Sequence, residues 1–248
     1  MNIDYPAQEQ IGQLKALWQE AFGDSEEFLA QFYAHGFAAD RCRCVRVDDK
    51  LCAALYWFDC LLDNRPIAYL YAIATAKNHR GQGLCRILME NTLALLEKLG
   101  YAGAILVPAE KGLFPMYEKM GFRESVPIEE FSCNAIAPAA QMRKLSATEF
   151  CRLRREYLPA GGVVQESGIE FLETMADFYA GEDFLVTASK EDGFFPELLG
   201  NRNAAPHILS ALNKQSGRFC TVGAEKPFAL YHSFSDTTAP TYFSLAFD

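Results

Sequence analysis

The segment that decides the fold is YAIATAKNHRGQGLCRILMENTLALLEKLG, from Tyr71 to Gly100. It opens with apolar and small residues, which are typical of a strand buried on both faces. Two glycines, Gly81 and Gly83, follow in a polar turn, and after them apolar residues recur with the period of an amphipathic helix. Gly100 stands where a left-handed C-terminal cap is expected. The segment therefore predicts a buried strand, a glycine turn and a helix in direct succession.

The residues on either side of this segment predict an α/β domain. Upstream, an amphipathic helix from Ile11 to Phe22 and a second, short helix with Ser25 as its N-cap precede a hairpin made of RCRCVRV and LCAALYWFDCLL. Downstream, YAGAILVP predicts a second buried strand, and FPMYEKM predicts a short helix that ends at Gly121. A strand, helix and strand joined in this way are expected to place the two strands parallel, with a right-handed connection.

Composition narrows the class of protein. The chain has 248 residues, of which 50% are hydrophobic and 22% charged, as in a globular protein with one large or two small domains. No apolar run reaches the ~18 residues of a membrane span and the first residues lack a signal-peptide pattern, so we expect a cytoplasmic protein with no membrane partner. The formal net charge is −9. Neither half has a basic excess, and we therefore expect no nucleic-acid partner.

Cysteine and histidine usage predicts no metal site. The eight cysteines include no CxxC pair, and no two of the four histidines have metal-ligand spacing. Several cysteines lie in apolar segments, where a small hydrophobic side chain would serve. We therefore expect free, buried thiols and no bound metal.

The glycine turn has the chemistry of an anion site. The first backbone N–H groups of a helix are unpaired and converge on one spot, which the helix dipole also makes attractive to anionic oxygen. Gly81 and Gly83 would let a pyrophosphate approach without meeting a Cβ atom, and Arg80 would add a positive charge. On these residues alone, a tight turn without a ligand is an equal alternative. Arg86 occupies the third glycine position of GxGxxG and no GK[ST] follows, which excludes the dinucleotide fingerprint and the Walker A loop.

The quoted segment resembles the coenzyme A signature of the GCN5-related N-acetyltransferases (GNAT). The family's Q/R-x-x-G-x-G/A element maps onto residues 78–83, with Asn78 where glutamine or arginine is commonest. Further on, LFPMYEKMGF is similar to the family's late helix and turn, with Tyr117, Gly121 and Phe122 in the matching positions. The two motifs and the elements between them make the resemblance specific over residues 1–130.

The resemblance implies a mixed α/β (α+β) fold, with a mostly antiparallel sheet that is splayed at a central parallel strand pair. We expect this acyl-CoA-binding catalytic domain at residues 1–132. For residues 140–248 we expect a second, smaller and degenerate GNAT-like unit without a pyrophosphate loop, joined by the linker FSCNAIAPAAQMRKL. Within it we predict a helix in IEFLETMADFYA, one or two short helices in FFPELLGNRNAAPHILSALN, and strands in PFALYHSF and TYFSLAF.

The resemblance also implies where acyl-CoA binds. The pantetheine is expected to pair with the backbone of Ile73, Ala74 and Thr75, where the parallel strands separate. Six residues are expected to hold the pyrophosphate: His79, Arg80, Gly81, Gln82, Gly83 and Leu84. Tyr117 is the candidate acid that gives a proton to the leaving thiolate, and its alternative role is that of an aromatic core residue.

The resemblance does not identify a general base. Many members carry a glutamate on the strand that contacts the pantetheine, whereas the run from Tyr69 to Ile73 contains no carboxylate. Glu110, Asp59 and a chain of water molecules are the candidates. Two-unit members that resemble enhanced-intracellular-survival proteins also suggest the terminal carboxylate of Asp248, for which a plain edge strand is the alternative.

Three functions are consistent with these residues. The first is an acyl-CoA-dependent N-acyltransferase, with acetyl-CoA as the expected co-substrate and a primary amine of a small molecule or peptide attacking directly in a ternary complex. The second is a non-catalytic acyl-CoA-binding sensor, suggested by the missing strand glutamate. The third is an aminoacyl-tRNA-dependent transferase of the tandem-unit type, which the acidic charge balance disfavours. By fold analogy we also expect that two copies can form a homodimer.

Overall fold

The computed structural model describes residues 1–191, 193–234 and 238–246. The chain forms two compact units. Unit 1 consists of Met1–Cys60, Asn64–Glu124 and Leu230–Thr237, and unit 2 consists of Leu61–Asp63, Ser125–Ala229 and Thr238–Asp248. Residues Leu230–Thr237 thus belong to unit 1, although they come late in the sequence. The predicted domains, 1–132 and 140–248, are each continuous in sequence and do not include this return. The GNAT-like character of the second half stays a prediction.

Unit 1 opens with the strand β1 (Asn2–Asp4) and the helices α1 (Ile11–Phe22) and α2 (Glu26–His35). Helix α1 buries one face and ends at the left-handed Gly23. The side chain of Ser25 caps α2 by accepting the N–H of Phe28 at 3.1 Å. Both predicted N-terminal helices are therefore confirmed.

The sheet of unit 1 contains the long strands β2 (Cys42–Val47), β3 (Lys50–Leu62) and β4 (Arg65–Thr75). Strand β2 pairs antiparallel with β1 on one side and with β3 on the other, which confirms the predicted hairpin. After β4 come the helix α3 (Leu84–Lys98), the strand β5 (Gly103–Leu106) and the short helix α4 (Phe114–Glu118). Strand β4 is parallel to β5, as predicted.

Unit 2 is built mainly from short strands. Its strands are β6 (Glu124–Asn134), β7 (Arg143–Leu145), β8 (Val164–Gln165), β9 (Ala176–Ala180), β10 (Phe184–Ser189), β11 (Phe194–Gly200) and the long β12 (Ser216–Ser233). Its helices are α5 (Ala147–Tyr157), α6 (Ile169–Met175) and α7 (Ala205–Ala211). Strands β7, β9, β10 and β11 pair antiparallel in that order, and β11 is parallel to the first part of β12. The last residues of β12, 230–233, belong to unit 1, where they pair antiparallel with β5.

The two faces of the unit 1 sheet have different cores. On one face, the buried stripe of α3 packs in a single cluster with Leu70, Leu106, Tyr117 and Phe122. On the other face lie the rings of Trp18, Phe32, Tyr56, Phe58, Tyr69 and Tyr71, with neighbouring centroids 4.6–6.1 Å apart. The sheet is therefore covered on both sides at β4, as its apolar sequence predicts.

Three secondary-structure predictions for the second half are wrong. Residues Ala176–Ala180 form β9, because they pair with β10 and β7 in place of continuing α6. Residues Phe194–Gly200 form β11, and the predicted helix begins later, at Ala205. Of TYFSLAF, the described residues 241–246 make one isolated bridge, between Tyr242 and Gly162, and form no strand.

Other expectations concern the cysteines, membranes and metals. All eight cysteines are free. In the described ranges, no helix has both the length and the apolar character that crossing a membrane requires. Among those same residues, no three His, Cys, Asp or Glu side chains are grouped as ligands for a metal ion.

Candidate functional site

Strand β4 extends past the end of its parallel neighbour. The register pairs Ile67 with Gly103 and Leu70 with Leu106, where β5 ends, whereas β4 continues to Thr75. Residues 71–75 therefore run beyond β5, so that the two strands share only their first part. The predicted pantetheine contacts, residues 73–75, lie on this extension.

A backbone irregularity at Ala72 marks the start of the extension. Ala72 has a φ of 47°, a left-handed conformation that is uncommon for a residue with a Cβ atom. The rings of Tyr69 and Tyr71 contact each other on one face, whereas Leu70 and Ile73 both pack in the cluster on the other face. Side-chain alternation thus slips by one residue at Ala72, as at a β-bulge. The left-handed conformation costs roughly 1–2 kcal/mol, and strain of this size is retained mostly at functional positions.

The turn after β4 brings two glycines in front of a helix N-terminus. Gly81 and Gly83 have φ values of 75° and 79°, and a Cβ atom added to either would meet nothing within 4 Å. Both glycines are therefore required by the backbone conformation, and the space in front of them is open. Helix α3 begins at Leu84, and no side chain caps its N-terminus. An uncapped terminus of a 15-residue helix attracts anionic oxygen.

The polar side chains of this turn fit a phosphate group. The imidazole Nδ1 of His79 is buried and has no hydrogen-bond partner among the described residues. Buried polar atoms without a hydrogen-bond partner are rare, and a bound ligand that supplies the missing partner would explain this one. Arg80 and Gln82 donate to backbone carbonyls of the turn, Nε to the Thr75 oxygen and Nε2 to the Asn78 oxygen, each at 3.1 Å. Of the six residues predicted to hold the pyrophosphate, residues 79–83 lie in this turn and Leu84 opens α3.

One further reactive group lies at the start of α3. Cys85 is half-buried, and burial raises the pKa of its thiol. A thiol with a raised pKa is mostly protonated near neutral pH and is therefore a poor nucleophile.

Tyr117 lies on α4, close to the start of α3. Its side chain is 6% exposed and belongs to the same buried cluster as Leu84, the first residue of α3. The two helices are also joined by Arg86, whose Nη2 donates to the Lys119 carbonyl at 3.3 Å. The structure therefore brings the candidate acid and the glycine turn to the same part of unit 1.

The chain turns sharply after α4, and this turn depends on Gly121. The backbone N–H of Phe122 donates to the Tyr117 carbonyl, and Gly121 adopts a φ of 96°. A Cβ atom at Gly121 would lie 2.7 Å from Nδ1 of His232, on the last part of β12. Glycine is therefore required both by the conformation and by the close imidazole. The sequence predicts a strand around His232 but carries no signal that this strand pairs with β5.

The carboxylate of Asp59, a candidate general base, is already hydrogen-bonded to two side chains. Both of its carboxylate oxygens accept from Nε of Arg41 at 3.0 Å, and the hydroxyl of Tyr101 donates to it at 2.5 Å. Burial, and then the bond to Asp59, raise the pKa of Tyr101 to about 12. These partners hold Asp59 in a local network.

The network lies at the opposite end of the strands from the predicted acyl site. Tyr101 precedes β5, whose first residue Gly103 pairs with Ile67. Ile73 follows Ile67 by six positions on β4, a distance of about 20 Å along an extended strand. The structure therefore separates Asp59 from the predicted acyl site. Glu110 is exposed between β5 and α4, and Asp248 lies outside the described residues.

Comparison with known proteins identifies relatives of this arrangement. Residues 2–125, half of the chain, match the acetyltransferase (GNAT) domain family. No curated protein matches the chain. Among solved structures, a GCN5-related N-acetyltransferase from Kribbella flavida is 18% identical, with a TM-score of 0.68 over 94% of this chain and 71% of that one. One from Anabaena variabilis is 16% identical, with a TM-score of 0.69 over 93% and 72%. Eis1 from Mycobacterium abscessus is 11% identical, with a TM-score of 0.66 over 94% and 74%. At these identities the likeness shows a shared fold.

Proposed function

Because the chain belongs to the GNAT acetyltransferase family, we propose that it transfers an acyl group from acyl-CoA to a primary amine. Acetyl transfer from acyl-CoA is the general activity of the family. Acetyl-CoA is the proposed co-substrate, and the acceptor is the amine of a small molecule or peptide. The observation that carries the proposal is the uncapped N-terminus of α3 behind Gly81 and Gly83, beside the orphaned Nδ1 of His79.

In this proposal the turn and the strand bind different parts of acyl-CoA. Residues 79–84 would hold the pyrophosphate through backbone N–H groups and the His79 imidazole. The backbone of Ile73, Ala74 and Thr75 would pair with the pantetheine along the extension of β4. The bulge at Ala72 would aim one strand N–H at the carbonyl oxygen on which negative charge develops.

The chemistry needs few protein groups. Acyl-CoA supplies an activated thioester carbonyl and a thiolate leaving group. The neutral amine attacks this carbonyl directly in a ternary complex, and Tyr117 gives its phenol proton to the departing sulfur. With Asp59 engaged in its own network, the amine loses its proton to Glu110, to water or to solvent.

A non-catalytic acyl-CoA sensor is the second candidate. It is favoured by the absence of any carboxylate in residues 69–75 and by the remote position of Asp59. A sensor would use the same glycine turn, so cofactor binding alone does not separate the two functions. Turnover does.

We also propose a cytoplasmic location. All eight cysteines are free, which suits a reducing compartment. A homodimer stays a prediction by analogy with the superfamily.

The experiment that tests the proposed function is a transfer assay. The purified protein is incubated with acetyl-CoA and a panel of amines, including polyamines, aminoglycosides and lysine-containing peptides, and release of the coenzyme A thiol is followed. We expect thiol release that depends on one class of amine and a product heavier by one acetyl group. Binding of acetyl-CoA without turnover on any amine would support the sensor in place of the enzyme.

A further inference from the structure

Helix α1 contacts the glycine turn through one carboxylate. Oε1 of Glu20 accepts the backbone N–H of Lys77 at 2.9 Å, across 57 positions of sequence. Lys77 opens the 3-10 turn Lys77–His79, and its N-cap residue Ala76 provides no side-chain hydrogen bond. The first N–H group of such a turn lacks a partner within the turn. Glu20 supplies that partner from another element.

The position of Glu20 is unfavourable for α1 itself. Glu20 lies in the last turn of α1, which ends at Phe22. The C-terminal end of a helix carries partial negative charge, so a carboxylate there is disfavoured by the helix dipole. Glu20 is also exposed and gains little from burial. The hydrogen bond to Lys77 is the contact that gives this residue a role.

A second polar side chain on the same face of α1 provides a comparison. Gln13, two turns earlier, accepts the backbone N–H of Leu51 through Oε1 at 3.2 Å. Next to this contact, the N–H of Ala76 donates to the carbonyl of Cys52 at 2.9 Å. Both side chains therefore dock α1 onto neighbouring backbone, but Gln13 holds the start of β3 whereas Glu20 holds the start of the turn.

We propose that Glu20 is a positioning residue for the acyl-CoA pyrophosphate turn. Its side-chain oxygen fixes the backbone at Lys77 by accepting this hydrogen bond. His79, Gly81 and Gly83 follow within six positions, so that their alignment with the N-terminus of α3 depends on this anchor. Glu20 acts through the Lys77 N–H and does not itself touch the substrate. The inference rests on the proposed binding of acyl-CoA at this turn.

The test compares Glu20→Ala, Glu20→Gln and the matched control Gln13→Ala. The KM for acetyl-CoA, kcat and the thermal midpoint are measured for each, with the Kd for acetyl-CoA measured by calorimetry. We expect Glu20→Ala to raise KM and Kd for acetyl-CoA about fivefold with kcat nearly unchanged. The amide oxygen of Glu20→Gln can accept the same bond, so this variant should keep affinity near that of the wild type. Gln13→Ala should lower the thermal midpoint about as much as Glu20→Ala does, but should leave KM and Kd for acetyl-CoA unchanged.

Two results would overturn the positioning role. One is an unchanged Kd in Glu20→Ala, or an equal increase in Gln13→Ala, which would indicate a general effect of loosening α1. The other is a loss of acetyl-CoA affinity in Glu20→Gln as large as that in Glu20→Ala, because the proposed bond to the Lys77 N–H needs only an acceptor oxygen, which glutamine also has. Failure of the proposed function looks different, since the wild-type protein itself would then bind no acetyl-CoA, and the inference would fall with it.

Discussion

Replacing Tyr117 by phenylalanine is expected to lower kcat about 100-fold or more while the Kd for acetyl-CoA stays the same. The substitution removes one hydroxyl from a side chain that is 6% exposed and keeps the ring in its cluster with Leu84 and Phe122. The lost group is the proposed proton donor to the thiolate, so the effect should appear in the chemical step. The measurement is steady-state transfer at saturating amine, together with calorimetric titration of acetyl-CoA.

Tyr101→Phe is the matched control for Tyr117→Phe. It also removes a partly buried phenol from unit 1, but this hydroxyl bonds Asp59, away from the glycine turn. We expect kcat to be unchanged in this control. A rate in Tyr117→Phe equal to that of the wild type would show that Tyr117 is an aromatic core residue and that the thiolate is protonated by another group.

In unit 2, Glu197→Gln is expected to lower the free energy of unfolding by about 3–5 kcal/mol. Arg154 and Glu197 are each 1% exposed and form a bidentate ion pair, in which Nε donates to Oε2 at 2.6 Å and Nη2 donates to Oε1 at 2.9 Å. The hydroxyl of Ser244 donates to the same carboxylate at 2.9 Å. Neutralising Glu197 would remove the negative charge that this carboxylate places against the buried Arg154 guanidinium, and urea denaturation would measure the loss.

Two further variants separate the charge from the packing. The double variant Arg154→Met with Glu197→Leu removes both charges at similar volume and should recover most of the lost stability. Ser244→Ala removes two hydrogen bonds of the hydroxyl, to Glu197 and to the Tyr242 hydroxyl, and should cost about 1–3 kcal/mol. If Glu197→Gln unfolded at the wild-type urea concentration, the pair would contribute nothing to stability and this explanation would be wrong.

The first half of the fold could be predicted because its signals are local. Helices α1, α2 and α3 show the helical period with recognisable caps, and the hairpin of β2 and β3 shows alternation around a turn of left-handed Asp48 and Asp49. The glycine turn was located by its two glycines and by the resemblance that they support. The predicted cofactor contacts at 73–75 lie at the end of β4, and those at 79–84 lie in the turn and at the first residue of α3; their roles stay a prediction.

The second half was harder because long-range pairing overrides the local pattern there. Phe171, Leu172, Met175 and Phe178 continue one helical stripe, yet Ala176–Ala180 pairs with two neighbouring strands. The segment FFPELLG, which the sequence predicts as helical, forms β11, and its Pro196 lies at a shift of register between Phe195 and Leu198. Proline is tolerated in strands at such irregularities. Neither outcome can be read from the residues without their partners.

Three features of the site carry no signal in a single sequence. Alanine at position 72 gives no indication of a left-handed conformation, because most alanines in apolar strands are extended. The contacts of His232 with Gly121 and of Glu20 with Lys77 each join segments far apart in the chain. Such contacts depend on the tertiary fold, and the physical roles proposed for these residues follow from it.

The central claim is that the glycine turn binds the pyrophosphate of acyl-CoA, and its most direct test is thermal unfolding with increasing acetyl-CoA. A ligand that binds the folded state alone stabilises it by about 2.7 kcal/mol at one hundred times Kd, so the midpoint of the wild type should rise with concentration. Gly83→Val places a branched side chain at a φ of 79° in front of the uncapped helix, and its midpoint should not respond. No rise in the wild type at millimolar acetyl-CoA, or an equal rise in Gly83→Val, would contradict the claim.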